Sequence, residues 1–257
     1  MQLNAERREL WFLVMTAAHH ALHTGYRGAR FLSRVLLRDV SNVFAHGVHT
    51  PRMHERIWVD PRQCETMNVE FGWSNFGELR PGDWDNRSLS LREEPATQEY
   101  LAHWKKIGAC LAHWTDGISW ESTGIYDHML QLIEAGGRTD GCISIDDITR
   151  RYRKLDEIFE EVKRSKKLST RAELSHIHFR EVGGVLFHID RNLKPVFGLW
   201  GCHRYAMAVA AELPLMPAQV GVVHAEVEDT WRDQYLRGAR RGPFLTGRRL
   251  AADRGIS

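Results

Sequence analysis

The sequence predicts an α+β fold, in which helical and extended segments are largely segregated along the chain. Residues 147–168 repeat apolar side chains at helical spacing, with acidic residues at the start and lysines at the end. Short extended runs bounded by turn residues occur near residues 56–61 and again between 182 and 224. The 257 residues, 43% of them hydrophobic, are ample for a buried core.

The first fifty residues predict a helical extension of two helices, separated by a break at residues 24–28. The second helix pairs an apolar face with a polar side that carries four arginines, Arg27, Arg30, Arg34 and Arg38. This pattern favours a helix packed on the main domain. The alternative is peripheral contact of residues 29–44 with an anionic membrane surface.

The sequence pattern changes from helical to extended at residues 47–51, and this change marks the start of a main domain over residues 51–235. Its first strand, Arg56 to Pro61, is ended by proline, and a loop over residues 72–85 follows. The loop contains Asp83 and Asp85, one residue apart in a glycine-containing turn. Such a pair can hold Mg²⁺ or supply a general base, although either carboxylate alone can simply cap the turn.

The middle of the domain, about residues 95–168, predicts a helical insertion. Its helices are expected at residues 97–111, 120–133 and 147–168, the second of them capped by Ser119 or Ser122. The apolar stripe of the third helix is expected in the core.

A hairpin follows the insertion, and it leads into the most informative segment. The two strands, residues 182–189 and 195–200, flank a turn at residues 190–193, and a further strand covers residues 216–224. Beyond it, residues 236–257 form an arginine-rich tail that is expected to pack loosely.

Residues Gly201-Cys202-His203-Arg204 form a turn between the hairpin and a helix, where unpaired helix amides attract anions. Arg204 can add a two-pronged hydrogen bond to phosphate, and His203 can donate a proton near neutral pH. A thiol at a helix N-terminus beside two cationic side chains should have a lowered pKa, which makes Cys202 a candidate nucleophile.

This segment resembles the phosphate-binding box of the ParB/sulfiredoxin fold, in which Gly-x-His-Arg opens a helix and a Pro-led strand follows. Sulfiredoxins resemble it most literally, because their active-site box reads Gly-Cys-His-Arg-Tyr, and that likeness also implies Cys202 as a nucleophile. The Trp-Val-Asp-Pro strand and the Gly-Asp-Trp-Asp loop extend a similarity to uncharacterised ParB-like proteins over residues 55–235. The resemblance implies a ParB/sulfiredoxin-like domain with a nucleotide site.

Charge and cysteine content limit the partners and the compartment. With 35 basic and 33 acidic residues there is no strong positive field, and no helix-turn-helix pattern follows His224, so nucleic acid is not favoured. The four cysteines lack a Cys-x-x-Cys pair, which favours a reducing cytoplasm. No run reaches the roughly 20 apolar residues of a membrane span.

These observations together predict nucleotide-dependent phosphoryl transfer to a hydroxyl-bearing small molecule or glycan. The expected cofactors are ATP or another nucleotide, bound by Gly201, His203 and Arg204, and Mg²⁺, bound by Asp83 and Asp85. The same carboxylates supply the base, and Arg80 steadies the transferred group. Two alternatives are a sulfiredoxin-like, ATP-dependent cysteine sulfinic acid reductase that uses Cys202, and a non-enzymatic nucleotide-gated binding module.

Overall fold

A computed structural model describes residues 28–175, 179–198 and 200–236. The first predicted N-terminal helix and nearly all of the arginine-rich tail lie outside these residues. Within them, seven helices and a mixed open sheet of seven strands form an α+β structure. The predicted fold class is therefore confirmed at this level.

The described elements fall into three groups along the chain. Four short strands come first, after one helix: α1 (residues 28–46), β1 (Arg56–Val59), β2 (Thr66–Met67), β3 (Leu79–Arg80) and β4 (Leu89–Ser90). Four helices follow: α2 (Gln98–Asp116), α3 (Ile125–Gly136), α4 (Ile145–Ser165) and α5 (Arg171–Leu174). The last group is β5 (Val185–Ile189), β6 (Pro195–Phe197), α6 (Cys202–Ala210), β7 (Met216–His224) and α7 (Trp231–Tyr235).

The sheet has the strand order β1-β7-β5-β6-β2-β4, and β3 pairs with the far end of β7. Strands β5 and β7 run parallel at its centre, and every residue of both is buried. Their register pairs Val185 with Ala218 and Ile189 with Val223. The parallel pair gives the sheet two distinct ends, one where both strands begin and one where both finish.

Helix α4 confirms the predicted apolar stripe as core. Ile148, Tyr152, Leu155, Phe159 and Val162 are buried at successive helical turns. The Ser144 side chain accepts a hydrogen bond from the Asp147 amide at 3.3 Å, which satisfies one amide of the first turn. This helix packs against both α3 and α6, so the insertion contributes directly to the main hydrophobic core.

Two predicted helix starts were wrong. Helix α3 begins at Ile125 rather than at residue 120, because the buried Trp120 ring donates a hydrogen bond to Asp156 at 2.9 Å and Gly124 takes a left-handed φ of 72°. The Ser119 hydroxyl bonds Ser122 instead of capping a helix. Helix α6 begins at Cys202, three residues before Tyr205, where the alanine-rich run of residues 205–213 predicts its start.

Helix α1 packs on the main domain through one side. Val35 is fully buried there, and Asp39 accepts a hydrogen bond from the Met53 amide at 2.8 Å and pairs with Arg180 at 2.6 Å. The Asn42 amide donates to the Gly77 carbonyl at 2.8 Å. In the part of the chain that the structure describes, no helix is long and apolar enough to cross a membrane.

Candidate functional site

The turn before α6 is fixed by Gly201, the residue just before the helix. Its φ of 94° is left-handed, and a Cβ at this position would lie 2.8 Å from the Cα atom of Val185. The chain therefore passes directly over the beginning of β5 before it enters the helix. The first amide groups of α6 have no carbonyl partner one turn earlier, which leaves them pointing out of the helix start.

Cys202 lies beneath the helical insertion. Helix α2 covers it, and its sulfur lies 3.4 Å from Nδ1 of His103. Burial raises the pKa of the Cys202 thiol to about 12, even though the positive charge of Lys106 acts in the opposite direction. The expectation of a lowered thiol pKa was therefore wrong, because loss of solvent outweighs the favourable helix end.

His203 is held between α6 and α4. Its Nε2 atom lies 3.3 Å from the Tyr152 hydroxyl oxygen, and burial, followed by the charge of Arg151, lowers the pKa of His203 to about 4. The imidazole is neutral at physiological pH. It can therefore donate or accept a hydrogen bond with a ligand, but it does not bring a positive charge to the site.

Arg204 extends toward the segment between α4 and α5, which contains Ser169. One end nitrogen, Nη2, donates to the Ser169 carbonyl, and the other, Nη1, is buried without a hydrogen-bond partner among the described residues. Burial lowers the pKa of this guanidinium, while the nearby Glu181 carboxylate acts in the opposite direction. The Nη1 donor therefore lacks an acceptor among the described residues.

A second group of charged side chains at this site was not predicted from the sequence. The Lys106 ammonium on α2 pairs with the Asp140 carboxylate at 2.7 Å, and Arg151 on α4 carries a buried Nε with no hydrogen-bond partner in the described ranges. Burial works against ionisation of Asp140, but Lys106 keeps the pKa of its carboxyl lowered. The Asp140-Gly141 pair is a recognisable turn signal. The sequence around it does not indicate that this turn lies beside the Gly-Cys-His-Arg segment, which follows about sixty residues later.

Two clefts meet along α4 next to these groups. The first, which we call the cationic cleft, has a volume of about 670 Å³ and is lined in part by Asp140, Asp147, Arg150, Arg151 and Lys154. The second, the apolar cleft, has about 550 Å³ and is lined in part by Val162, Leu168, Leu174, Met207, His203 and Arg204. Leu155 and Ile158 line both, so the clefts are neighbours.

The acidic loop is organised around Arg191, in the turn after β5. Arg191 donates from Nε to Asp85 at 2.7 Å and from Nη2 to both Asp85 and Asp83, each at 2.7 Å. The Asp85 side chain is 5% exposed and that of Asp83 is 77% exposed. Burial acts to raise the pKa of Asp85, but the hydrogen bonds and charge of Arg191 outweigh it and hold this pKa at about 2.

The structure does not bring this loop together with the Gly-Cys-His-Arg turn. Gly201 contacts Val185 at the beginning of β5, whereas Arg191 follows its end, and the six residue steps from Val185 to Arg191 span up to about 20 Å. Arg80 also lies at the far end, where β3 pairs with His224, and its guanidinium is 5.1 Å above the Phe71 ring.

The Arg191 guanidinium already donates to both carboxylates at which Mg²⁺ was predicted and offsets one of their two negative charges, so this pair does not fit a metal ion as it stands. Within the described ranges, no group of three or more histidine, cysteine, aspartate or glutamate residues is placed to hold a metal. The catalytic and metal-binding roles of Asp83 and Asp85, and the phosphate-steadying role of Arg80, stay predictions.

Comparisons with protein-family models, with curated proteins and with solved structures gave no match for this chain.

Proposed function

We propose that this protein binds a nucleotide across the two clefts beside α6, with the phosphates in the cationic cleft and the base in the apolar cleft. One observation carries the proposal: His203 and Arg204 of the Gly-Cys-His-Arg box line the apolar cleft, and the cationic cleft, which is lined by three cations and two carboxylates, adjoins it along α4. A nucleotide has the matching division into a polyanionic and an aromatic part. The proposal includes a ParB/sulfiredoxin-like fold, because the box of this chain resembles the phosphate-binding box of that fold.

The donors at the site suit phosphate oxygens. Arg150, Arg151 and Lys154 approach the cationic cleft from one helix, and the Nε of Arg151 has no hydrogen-bond acceptor among the residues that the structure describes. Guanidinium groups bind phosphate through charge-assisted hydrogen bonds, which are stronger than those between neutral groups. The volume of the apolar cleft, about 550 Å³, lies within the range of small-molecule sites.

Phosphoryl transfer to a hydroxyl-bearing small molecule or glycan remains the activity that we propose for this site. Two carboxylates line the cationic cleft. Asp147 is paired with Arg150 of its own helix, whereas Asp140 is paired with Lys106 of α2, which keeps the pKa of Asp140 lowered. We assign to Asp140 the task of orienting the acceptor hydroxyl and taking its proton as the new phosphorus–oxygen bond forms. The bond between the terminal phosphorus of the nucleoside triphosphate and its bridging oxygen breaks in the same step, and the nucleoside diphosphate leaves. No step of this proposal passes through a metal ion or through Cys202.

A non-enzymatic nucleotide-binding module is the second candidate. It is favoured by the uncharged states of Cys202 and His203, because burial raises the pKa of the thiol and lowers that of the imidazole. Binding without turnover would identify this function. The reductase alternative requires a reactive thiolate, which the raised pKa of Cys202 disfavours.

The test measures nucleotide binding by calorimetry with ATP, CTP and GTP, together with release or transfer of the terminal phosphate. Arg151→Gln should weaken binding about tenfold, because a charge-assisted pair to phosphate is lost. Arg153→Gln is the matched control, since Arg153 is exposed on the same helix and does not line the cleft. Asp140→Asn should keep binding and lower turnover by about 100-fold or more.

Equal binding by the Arg151 and Arg153 variants, or no binding of any nucleotide, would contradict the site. Binding with no detectable turnover in the unmodified protein would favour the module. Full turnover in Cys202→Ser would exclude the reductase.

A further inference from the structure

Helix α1 leaves a broad apolar surface exposed to solvent. Leu36, Leu37, Val40 and Phe44 follow one another at helical spacing, and Leu37 and Phe44 are 70% and 87% exposed. Val48, just beyond the helix, is 74% exposed. We call these five residues the α1 apolar stripe. Contiguous apolar patches on a protein surface mark sites of interaction, whereas single exposed apolar residues do not.

The stripe faces away from the core. The opposite side of α1 is already occupied by the buried Val35, by the ion pair of Asp39 with Arg180, and by the hydrogen bond from Asn42 to Gly77. The helix therefore keeps its place on the domain while it presents the stripe outward. Polar substitutions in the stripe should not disturb the packing beneath it.

The charges around the stripe are of one sign. Arg30 and Arg34 are exposed along its edge, and a cavity of about 560 Å³ is lined by these two arginines with Phe31 and Trp73. The only acidic residue among residues 28–46 is Asp39, which is buried on the other side. The exposed face of α1 thus combines apolar side chains with cations and carries no anion.

We propose that α1 docks on an anionic lipid surface, with the apolar stripe at the boundary of headgroups and acyl chains and with Arg30 and Arg34 on lipid phosphates. Interfacial helices have this combination of a large apolar face and a cationic edge. Charge complementarity favours lipid over a second copy paired through its own α1, which would bring the same arginines and no exposed acidic partner. The nineteen helical residues span about 28 Å and lie along the surface.

Co-sedimentation of the full chain with vesicles tests this docking. Vesicles of phosphatidylcholine with 30% phosphatidylglycerol should retain the protein at least tenfold better than phosphatidylcholine alone. The double variant Leu37→Glu/Phe44→Glu should lose binding, and Arg30→Gln/Arg34→Gln should weaken it roughly tenfold or more. Ile143→Glu/Ile145→Glu is the matched control, because these apolar residues are also exposed but lie elsewhere, and it should bind as the unmodified protein does.

Three results would overturn the proposal. One is failure of the protein to bind either kind of vesicle. Another is a dimer in solution that Leu37→Glu/Phe44→Glu dissociates, which would identify a second copy as the occupant. The third is a marked fall in the melting temperature of that variant without vesicles, which would place the stripe against another part of the same chain. None of these outcomes bears on nucleotide binding, whose variants lie on α4 and beside α2.

Discussion

At Gly201 two constraints act on one residue. A left-handed φ of 94° disfavours any side chain, and the Cα atom of Val185 lies where a Cβ would need space. Elsewhere in the described structure, Gly117 shares the first constraint without the second, since its φ is 72° and no atom lies within 4 Å of the Cβ position. The two glycines therefore separate backbone strain from steric exclusion.

Gly201→Ala should lower the free energy of unfolding by roughly 2–4 kcal/mol, because strain and overpacking add. Gly117→Ala, the control, should lower it by about 1 kcal/mol through the backbone alone. Urea denaturation measures both. Equal losses for the two variants would contradict the close approach of the box to β5.

Cys202 and His203 show at the same scale what residue identity leaves open. The local pattern predicted a helix after this turn, and the helix begins at Cys202, earlier than predicted. The protonation states depend on the cover that α2 and α4 supply, which local sequence does not encode. Burial raises the pKa of the thiol and lowers that of the imidazole, so both groups are uncharged at neutral pH.

At the scale of elements, the periodicity of apolar residues predicted those strands and helices whose formation depends on local interactions. Strands β1, β5, β6 and β7 and helix α4 lie within or close to the predicted segments. The start of α3 was missed because tertiary burial of Trp120 overrides the local capping signal at Ser119. The acidic loop is a similar case, since its partner, Arg191, is more than a hundred residues away in the chain.

Arg191, in the turn between β5 and β6, binds both carboxylates of the acidic loop, but replacing each carboxylate should change the free energy of unfolding by a different amount. Asp85→Asn should cost about 2 kcal/mol of unfolding free energy, because a nearly buried charge pair with Arg191 is broken. Asp83→Asn should cost less than about 0.5 kcal/mol, because Asp83 is exposed and its pairing is screened by solvent.

Thermal or urea unfolding of the two variants measures this difference. Loss of phosphoryl transfer in a folded Asp83→Asn protein would instead restore the predicted catalytic role of the loop. The result would then require the two ends of the sheet to meet in a conformation that this structure does not contain.

At the scale of the whole molecule, buried histidines make stability depend on pH. Burial lowers the pKa of five of them, His54, His103, His128, His188 and His203, with His188 at about 3. The unfolded chain takes up these protons near pH 6.5, whereas the folded protein stays neutral to lower pH. Below about pH 6.5 the unfolded state therefore binds more protons, and folding stability falls as pH falls.

The free energy of unfolding should thus be highest above pH 6.5 and decline steadily toward pH 4. Each fully shifted histidine contributes up to about 1.4 kcal/mol per pH unit in this window. Urea titrations at pH 7.5, 6.0 and 4.5 measure the decline, and His203→Gln should make it shallower. A flat profile over this range would be inconsistent with neutral buried histidines.

The sequence by itself determined the α+β class, most of the strands and the position of the Gly-Cys-His-Arg turn, because these follow from local periodicity and turn chemistry. Only the tertiary structure decided which charges surround that turn. Lys106, Asp140 and Arg151 come from different parts of the insertion and meet beside His203, while Asp83 and Asp85 pair with Arg191 at the opposite end of β5. Strand pairing and helix packing join residues distant in the chain, and no local pattern specifies which of them meet.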